Sequence, residues 1–366
     1  MFRTFEAAKA WRTDAAKAAR AGLLSTESKH TVRDAGEQLI GNLDSNAAMT
    51  RSGSRYKPSV ARAYKRNLHK YVYPALGSTR LTNLRRRDVQ RFVNELVASG
   101  LTGSTVRNIL APLRVICRRA IENDEITVNP TAHLRLPEGP GRRERVATAT
   151  EAMTLLDALP AGQQSLWAAA FFSGLRRGEL RALRWSDIDN DTSIIRVCRT
   201  WDDVVGEVDP KSRKSNRTVP VATILRRFLL GHKTSTGRAD DDLVFGTTAE
   251  KPFSPTVVNT RARAAWATRY ACGCTRPIDV KTGDQAPPAR CPTHHTDPLR
   301  PICLHECRHT YVSLMHDAGL SLERIGDYVG HNSTYMVDRY RHLLEGHETE
   351  AARLFDQYLL RHTRTN

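Results

Sequence analysis

His305 and Arg308 stand three residues apart in Leu304-His305-Glu306-Cys307-Arg308-His309-Thr310. On a helix that spacing puts both side chains on one face, where they can grip a single anion. Downstream come Gly330-His331 and then Asp338-Arg339-Tyr340-Arg341-His342. A second arginine, Arg176, lies far upstream in Ser173-Gly174-Leu175-Arg176-Arg177-Gly178-Glu179-Leu180, and Lys211 follows in Pro210-Lys211-Ser212. Together these residues suit chemistry on a phosphate. A phosphodiester under displacement spreads negative charge over its non-bridging oxygens, so its catalyst works mainly by positioning and electrostatic stabilisation. Two guanidiniums can each donate paired hydrogen bonds to those oxygens, a geometry that lysine cannot reproduce. Tyr340 is the candidate nucleophile; with an ordinary pKa of ~10, a phenol needs a cationic site to favour its phenolate.

Plainer roles compete with these. Arg176 could pair with Glu179 one turn on, and His331 could cap the helix that carries Leu322, Ile325 and Val329. Tyr328 and Tyr335 are rival tyrosines, although Tyr328 falls on that same apolar stripe. Lys214 rivals Lys211.

The elements that must gather these residues come from a chain of 366 residues, long enough for about two domains with their own cores. A formal charge of +17 points to a polyanionic partner: nucleic acid, an anionic membrane or an acidic protein. No apolar run approaches the ~20 residues that span a bilayer, and Met1-Phe2-Arg3 does not open a signal peptide. The expectation is a cytoplasmic, nucleoid-associated protein that binds nucleic acid. Seven cysteines, odd in number and unevenly scattered, argue against a disulfide framework. Cys117 and Cys307 lie on apolar stripes and read as small buried hydrophobes.

In chain order, residues 1–30 read as an N-terminal helix. Residues 31–134 read as an all-α domain of about four helices with no strand. Val89, Phe92, Val93 and Leu96 mark one of them; Val106, Ile109, Leu110, Leu113 and Ile116 mark another, with Ser104 as its expected cap. Lys65, Arg66, Lys70, Arg85, Arg86, Arg87, Arg91, Arg107 and Arg118 give this domain a basic face suited to a phosphate backbone. Residues 135–147, with Pro137, Gly139, Pro140 and Gly141 among arginines, read as a basic linker. Residues 148–366 read as a mainly helical domain with a small antiparallel sheet from strands at Ile194–Val197 and Arg217–Val221.

Taken together, the motif around Arg176, Pro210-Lys211-Ser212 ahead of Arg217-Thr218-Val219-Pro220, His305 to Arg308, Gly330-His331 and Tyr340 nine residues on resemble the tyrosine recombinases, specifically integrases of phages and mobile elements. The resemblance covers roughly residues 31 to 360. It implies a mainly α fold: a SAM-like, all-α core-binding domain followed by a mixed, mostly helical catalytic domain. It implies a site-specific recombinase with Arg176, Lys211, His305, Arg308, His331 and Tyr340 as catalytic residues. Tyr340 would form a 3′-phosphotyrosine bond, and Lys211 would give a proton to the departing 5′-hydroxyl. The bond energy stays in the protein–DNA link, so no cofactor is required. The implied partners are double-stranded attachment-site DNA, a homotetramer assembled on it, and an accessory directionality or host DNA-bending protein, with no membrane. A type IB topoisomerase-like enzyme and a non-catalytic DNA-binding regulator that keeps the fold are the alternatives.

Three features depart from that pattern. A Cys/His-rich insert at 272–301 holds Cys272-Gly273-Cys274 and Cys291-Pro292-Thr293-His294-His295. Cys272, Cys274 and Cys291 with either His294 or His295 offer four ligands for a structural Zn²⁺; the competing reading is an insert with incidental thiols. The N-terminus lacks the strands of an arm-binding domain, which leaves a simple two-domain recombinase or a start downstream of the true one. The tail from Glu348 to Leu360 has an apolar face for core packing or for a neighbouring protomer.

Overall fold

The computed structural model describes residues 4–20, 29–137, 145–208, 216–276, 290–331 and 336. Lys211, Lys214, Tyr335, Tyr340 and the tail from Glu348 lie outside them. The chain divides into two compact units, Met1–Arg143 and Glu144–Asn366.

The first unit is helical, with no strand among its described residues. It contains α1 (Phe5–Arg20), α2 (Val32–Asp44), α3 (Pro58–Asn67), α4 (Tyr73–Leu76), α5 (Arg86–Ala98) and α6 (Gly103–Glu122). Helix α2 starts in a capping box, the Thr31 side chain accepting from the Asp34 N–H while the Asp34 carboxylate accepts from the Thr31 N–H. A π-turn over Leu68–Val72 joins α3 to α4. Pro74 has no N–H to offer the helical ladder, and the register slips one residue just before it. Helix α6 is capped by Thr102, not by Ser104 as expected. The chain turns from extended to helical at Thr102, whose hydroxyl accepts the Thr105 N–H, so Ser104 already lies in the first turn. The apolar stripes meet in one core: Leu39, Leu68, Val89, Val93, Ile109, Leu110 and Leu113 are all buried. Arg85, Arg86, Arg87, Arg91 and Arg107 remain on the surface.

Near the start of the second unit, the Ala147 N–H donates to the Thr310 hydroxyl at 3.1 Å. Its elements are α7 (Ala149–Asp157), α8 (Ala161–Phe172), α9 (Arg177–Ala182), β1 (Ile188–Asp189), β2 (Ile194–Val197), β3 (Thr200–Asp202), β4 (Gly206–Val208), β5 (Arg217–Pro220), α10 (Thr223–Thr236), α11 (Pro255–Ala267), α12 (Leu304–Asp317) and α13 (Leu322–Val329). Helix α8 is the hub. Every residue from Ser165 to Phe171 is buried, as expected of a helix apolar on all sides. It packs against α10 and α12. An antiparallel sheet in the order β1-β2-β5 lies in the same core, with Ile195, Val197 and Val219 turned inward. Val197 pairs with Arg217, so β2 fixes where the first residue of β5 sits. A separate two-stranded ladder joins β3 and β4.

Trp167 and Trp266 meet edge to face at the centre, ring centroids 4.8 Å apart, and the Trp266 indole N–H donates to the Leu155 carbonyl at 2.8 Å. Trp266→Ala removes that packing and opens a cavity, so denaturant unfolding of the second unit should show a loss of about 3–5 kcal/mol.

Candidate active site

The site is built on the last turn of α13. An α-helix leaves its final carbonyls without partners in the helix. Here three consecutive ones are taken by arginines from three other elements. Tyr328 O accepts from Arg217 Nε at 2.6 Å, Val329 O accepts from Arg308 Nη2, and Gly330 O accepts from Arg176 Nη2 at 3.0 Å. The helix ends in Gly330 at φ 67°, a left-handed conformation natural to glycine, and the His331 N–H returns to Gly326 O at 2.9 Å. The partial negative charge of a helix C-terminus suits three cations.

Arg176 is placed by the start of α9. Its own N–H donates to Glu179 Oε2 at 2.7 Å, and its Nη1 to Glu179 Oε1 at 2.9 Å. The pairing with Glu179 is thus real, and it leaves Arg176 bound to α13 as well. The Glu179 carboxylate also receives both terminal nitrogens of Arg217, at 3.0 and 2.8 Å. Burial by itself would push this carboxyl up; the Arg217 hydrogen bonds and the charges of Arg217 and Arg176 outweigh it and hold the group down to about 2. In the sequence Arg217 stands only as the first residue of Arg217-Thr218-Val219-Pro220. Its role had one legible signal, a charged residue beginning a strand whose alternation otherwise runs into the core.

Arg308 lies on α12, only 2% exposed. Besides Val329 O, its guanidinium donates to Gly174 O and to His331 Nε2, the latter at 3.2 Å. A guanidinium only donates, so His331 Nε2 is the acceptor in this contact. Gly174 has φ 62°, and a Cβ there would come within 2.4 Å of the Tyr311 ring. Glycine is required at that place, so the backbone can approach α12 and offer its carbonyl. His305 is also on α12 but exposed, its ring edge-on to His309 at 4.8 Å. The two members of the expected anion grip therefore differ: Arg308 is embedded and His305 faces outward. Arg176, Arg308 and His331 are joined through α13, whereas Lys211 and Tyr340 lie outside the described residues.

Away from this group, Cys272, Cys274, Cys291 and His294 converge, with one ligand atom of each within 4.8 Å of all the others.

The depressed Glu179 carboxyl links stability to pH. Its folded pKa lies below the unfolded value of 4.5, so its contribution is complete above pH 4.5 and is lost as pH falls towards 2. Urea unfolding across this range should find Glu179→Gln about 3 kcal/mol less stable than wild type near pH 7, with the gap closing below pH 4.5.

Comparison with known proteins supplies the family. The phage integrase family profile matches residues 145–347, and that of the phage integrase N-terminal SAM-like domain matches residues 51–97. An integrase of Streptomyces ambofaciens is 27% identical over 286 residues, 74% of this chain and 67% of that protein. The ICEBs1 integrase of Bacillus subtilis is 23% identical over 319 residues, 83% of this chain and 79% of that protein. Among solved structures, the Tn1549 transposon integrase in complex with a circular intermediate DNA superposes with a TM-score of 0.66 at 17% identity, covering 90% of this chain and all of that one. A lambda integrase dimer bound to a COC′ core site gives 0.58 at 19% identity, over 85% of this chain and 95% of that one. The mainly helical fold, with its SAM-like N-terminal domain, is that of the tyrosine recombinases. With a match spanning more than half its length, over the segment that gathers Arg176, Glu179, Arg217 and Arg308, the chain belongs to the phage integrase family.

Proposed function

We propose that the protein is a site-specific DNA recombinase that cuts and rejoins strands through a tyrosyl-phosphate link, and that Arg176, Lys211, His305, Arg308, His331 and Tyr340 carry the reaction. The observation that supports this most is the seating of Arg176 and Arg308 on the adjacent carbonyls of Gly330 and Val329, although 132 residues separate the two arginines. Guanidiniums fixed before substrate arrives can stabilise a developing phosphorane charge without reorganising at the moment of reaction. Arg176, with its side chain 37% exposed, is the more open of the two.

In this reading Tyr340, its phenolic proton lost to solvent under the field of the cationic site, attacks the scissile phosphorus as phenolate and forms a phosphotyrosine ester. The bond from phosphorus to the 5′-oxygen breaks, and Lys211 gives that oxygen its proton. His305 and His331 donate to the phosphate oxygens as charge builds, His331 after releasing its present contact with Arg308. Religation to a different strand reverses the steps, with a 5′-hydroxyl as nucleophile. The curated relatives are named as integrases and XerC recombinases, which favours strand exchange over topoisomerase-like relaxation.

The substrate is duplex attachment-site DNA, held in part by the arginines of α5. A homotetramer on that DNA is the working assembly, by analogy with the lambda integrase tetramer bound to a Holliday junction, whose chain matches with a TM-score of 0.56 at 18% identity. An accessory directionality or DNA-bending protein would then set the balance of integration and excision. No helix among the described residues is long and apolar enough to cross a membrane.

The test uses a nicked DNA carrying the attachment site beside the gene. Wild type should trap a covalent protein–DNA adduct, Tyr340→Phe should form none, and Arg176→Lys and Arg308→Lys should slow trapping by roughly 100-fold or more. An adduct formed by Tyr340→Phe would reject the nucleophile assignment.

A further inference from the structure

Directly before α12, the chain makes two tight turns that the strand-transfer chemistry does not use. The first is Cys272-Gly273-Cys274, closed by the Gly273 N–H on Tyr270 O at 2.8 Å and the Tyr270 N–H on Cys274 O at 2.9 Å. Gly273 at φ 88° lets the two cysteines approach each other across one residue. The second runs from Cys291 to Thr296, closed by the Cys291 N–H on Thr296 O and the His295 N–H on Cys291 O, both at 2.8 Å. The turns lie side by side because the Ala271 N–H donates to Asp297 O and the Leu299 N–H to Arg269 O, each at 2.9 Å.

The four side chains brought together are soft or borderline donors of the kind zinc selects. His294 Nδ1 lies 3.4 Å from Cys274 Sγ and 3.8 Å from Cys291 Sγ. For a tetrahedral ion with metal–sulfur bonds of about 2.3 Å and a metal–nitrogen bond of about 2.0 Å, sulfur–nitrogen edges of about 3.5 Å are required. The observed separations are near that value. All seven cysteines are free thiols, so no disulfide competes for these three. Among the described residues this is the one group of three or more histidines, cysteines or carboxylates so gathered.

We propose that Cys272, Cys274, Cys291 and His294 bind one Zn²⁺ in a closed Cys₃His site that staples the two turns together and braces the start of α12. The four ligands fill the coordination shell and leave no position for water or substrate, so the ion is structural. Tyr270 and Leu299, both 3% exposed, carry backbone hydrogen bonds that hold the turns, and Leu299, Ile302 and Leu304 belong to the same buried core as α12. His305 and Arg308 follow within the first turn and a half of that helix. His294 is the fourth ligand and its neighbour His295 is not; a left-handed backbone at φ 52° carries His295 past the cluster. The inference does not depend on the recombinase reading, because metal content is measured without any DNA.

The experiment is elemental analysis of the purified full-length protein, with thiol titration and replacement of zinc by cobalt(II). About one equivalent of zinc, three thiols that become reactive only after chelation, and a thiolate-to-cobalt charge-transfer band are expected. His294→Ala and Cys274→Ser should weaken zinc by at least about tenfold, while His295→Ala keeps it. Should either ligand variant fail to fold, chelation of the wild type supplies the same readout, lowering its unfolding temperature reversibly on zinc return. Less than half an equivalent of zinc with all three thiols open to titration in the folded protein would overturn the site. Loss of zinc in His295→Ala with retention in His294→Ala would overturn the ligand set.

Discussion

The catalytic unit turns on the carbonyl groups that α13 cannot satisfy by itself. Tyr328, Val329 and Gly330 present three acceptors in a row, and Arg217, Arg308 and Arg176 fill them from β5, α12 and the turn before α9. The short helix thereby acts as a template that sets the spacing of guanidiniums far apart in sequence. Neither partner is comfortable alone. Buried carbonyls without donors cost about 1–3 kcal/mol each, and a guanidinium as enclosed as Arg308 costs more without acceptors. Assembly of the unit and assembly of the cationic site are one event.

Glu179 keeps this concentration of positive charge tolerable. It lies between Arg176 and Arg217 and contacts both. The bidentate Arg217 pair, with side chains 5% and 7% exposed, is a structural anchor. That leaves Arg176, attached at one end to Glu179 and at the other to Gly330, the more exposed of the two arginines, at 37%. A site meant to bind phosphate needs cations whose neutralisation by the protein is partial. Arg217 is fully committed, whereas Arg176 is held by one oxygen of a shared carboxylate and one carbonyl.

The motifs were legible in the sequence where short-range spacing carried them. His305 and Arg308 fall on one helix, Arg176 starts another beside its acidic partner, and the apolar stripes of α5 and α6 form a core. What the spacing could not convey were contacts set by tertiary placement. Arg217 finds Glu179 only because β5 pairs with β2, a register that local periodicity does not encode. Gly174 is needed because Tyr311 lies against it, a contact across 137 residues. The shared helix face of His305 and Arg308 did not convey their depth: that face of α12 runs from surface to interior, leaving His305 exposed and Arg308 buried. Helix α10 went unread because only Leu225 and Leu229 of its fourteen residues are buried, which weakens the periodic signal. The cap at Thr102 was misplaced by two residues, since threonine and serine at either position could both have accepted the first free N–H groups.

The central claim is that the C-terminal turn of α13 positions the arginines, and Gly330→Val tests it without touching a catalytic side chain. A β-branched residue resists the left-handed conformation at φ 67° and should shift the terminal carbonyls. The decisive measurement is single-turnover cleavage of the nicked site by this variant, beside its affinity for the same DNA and its circular dichroism. Displaced arginines predict cleavage slowed by on the order of 100-fold, with affinity and helical content near those of wild type. Cleavage at the wild-type rate by the folded variant would contradict the account.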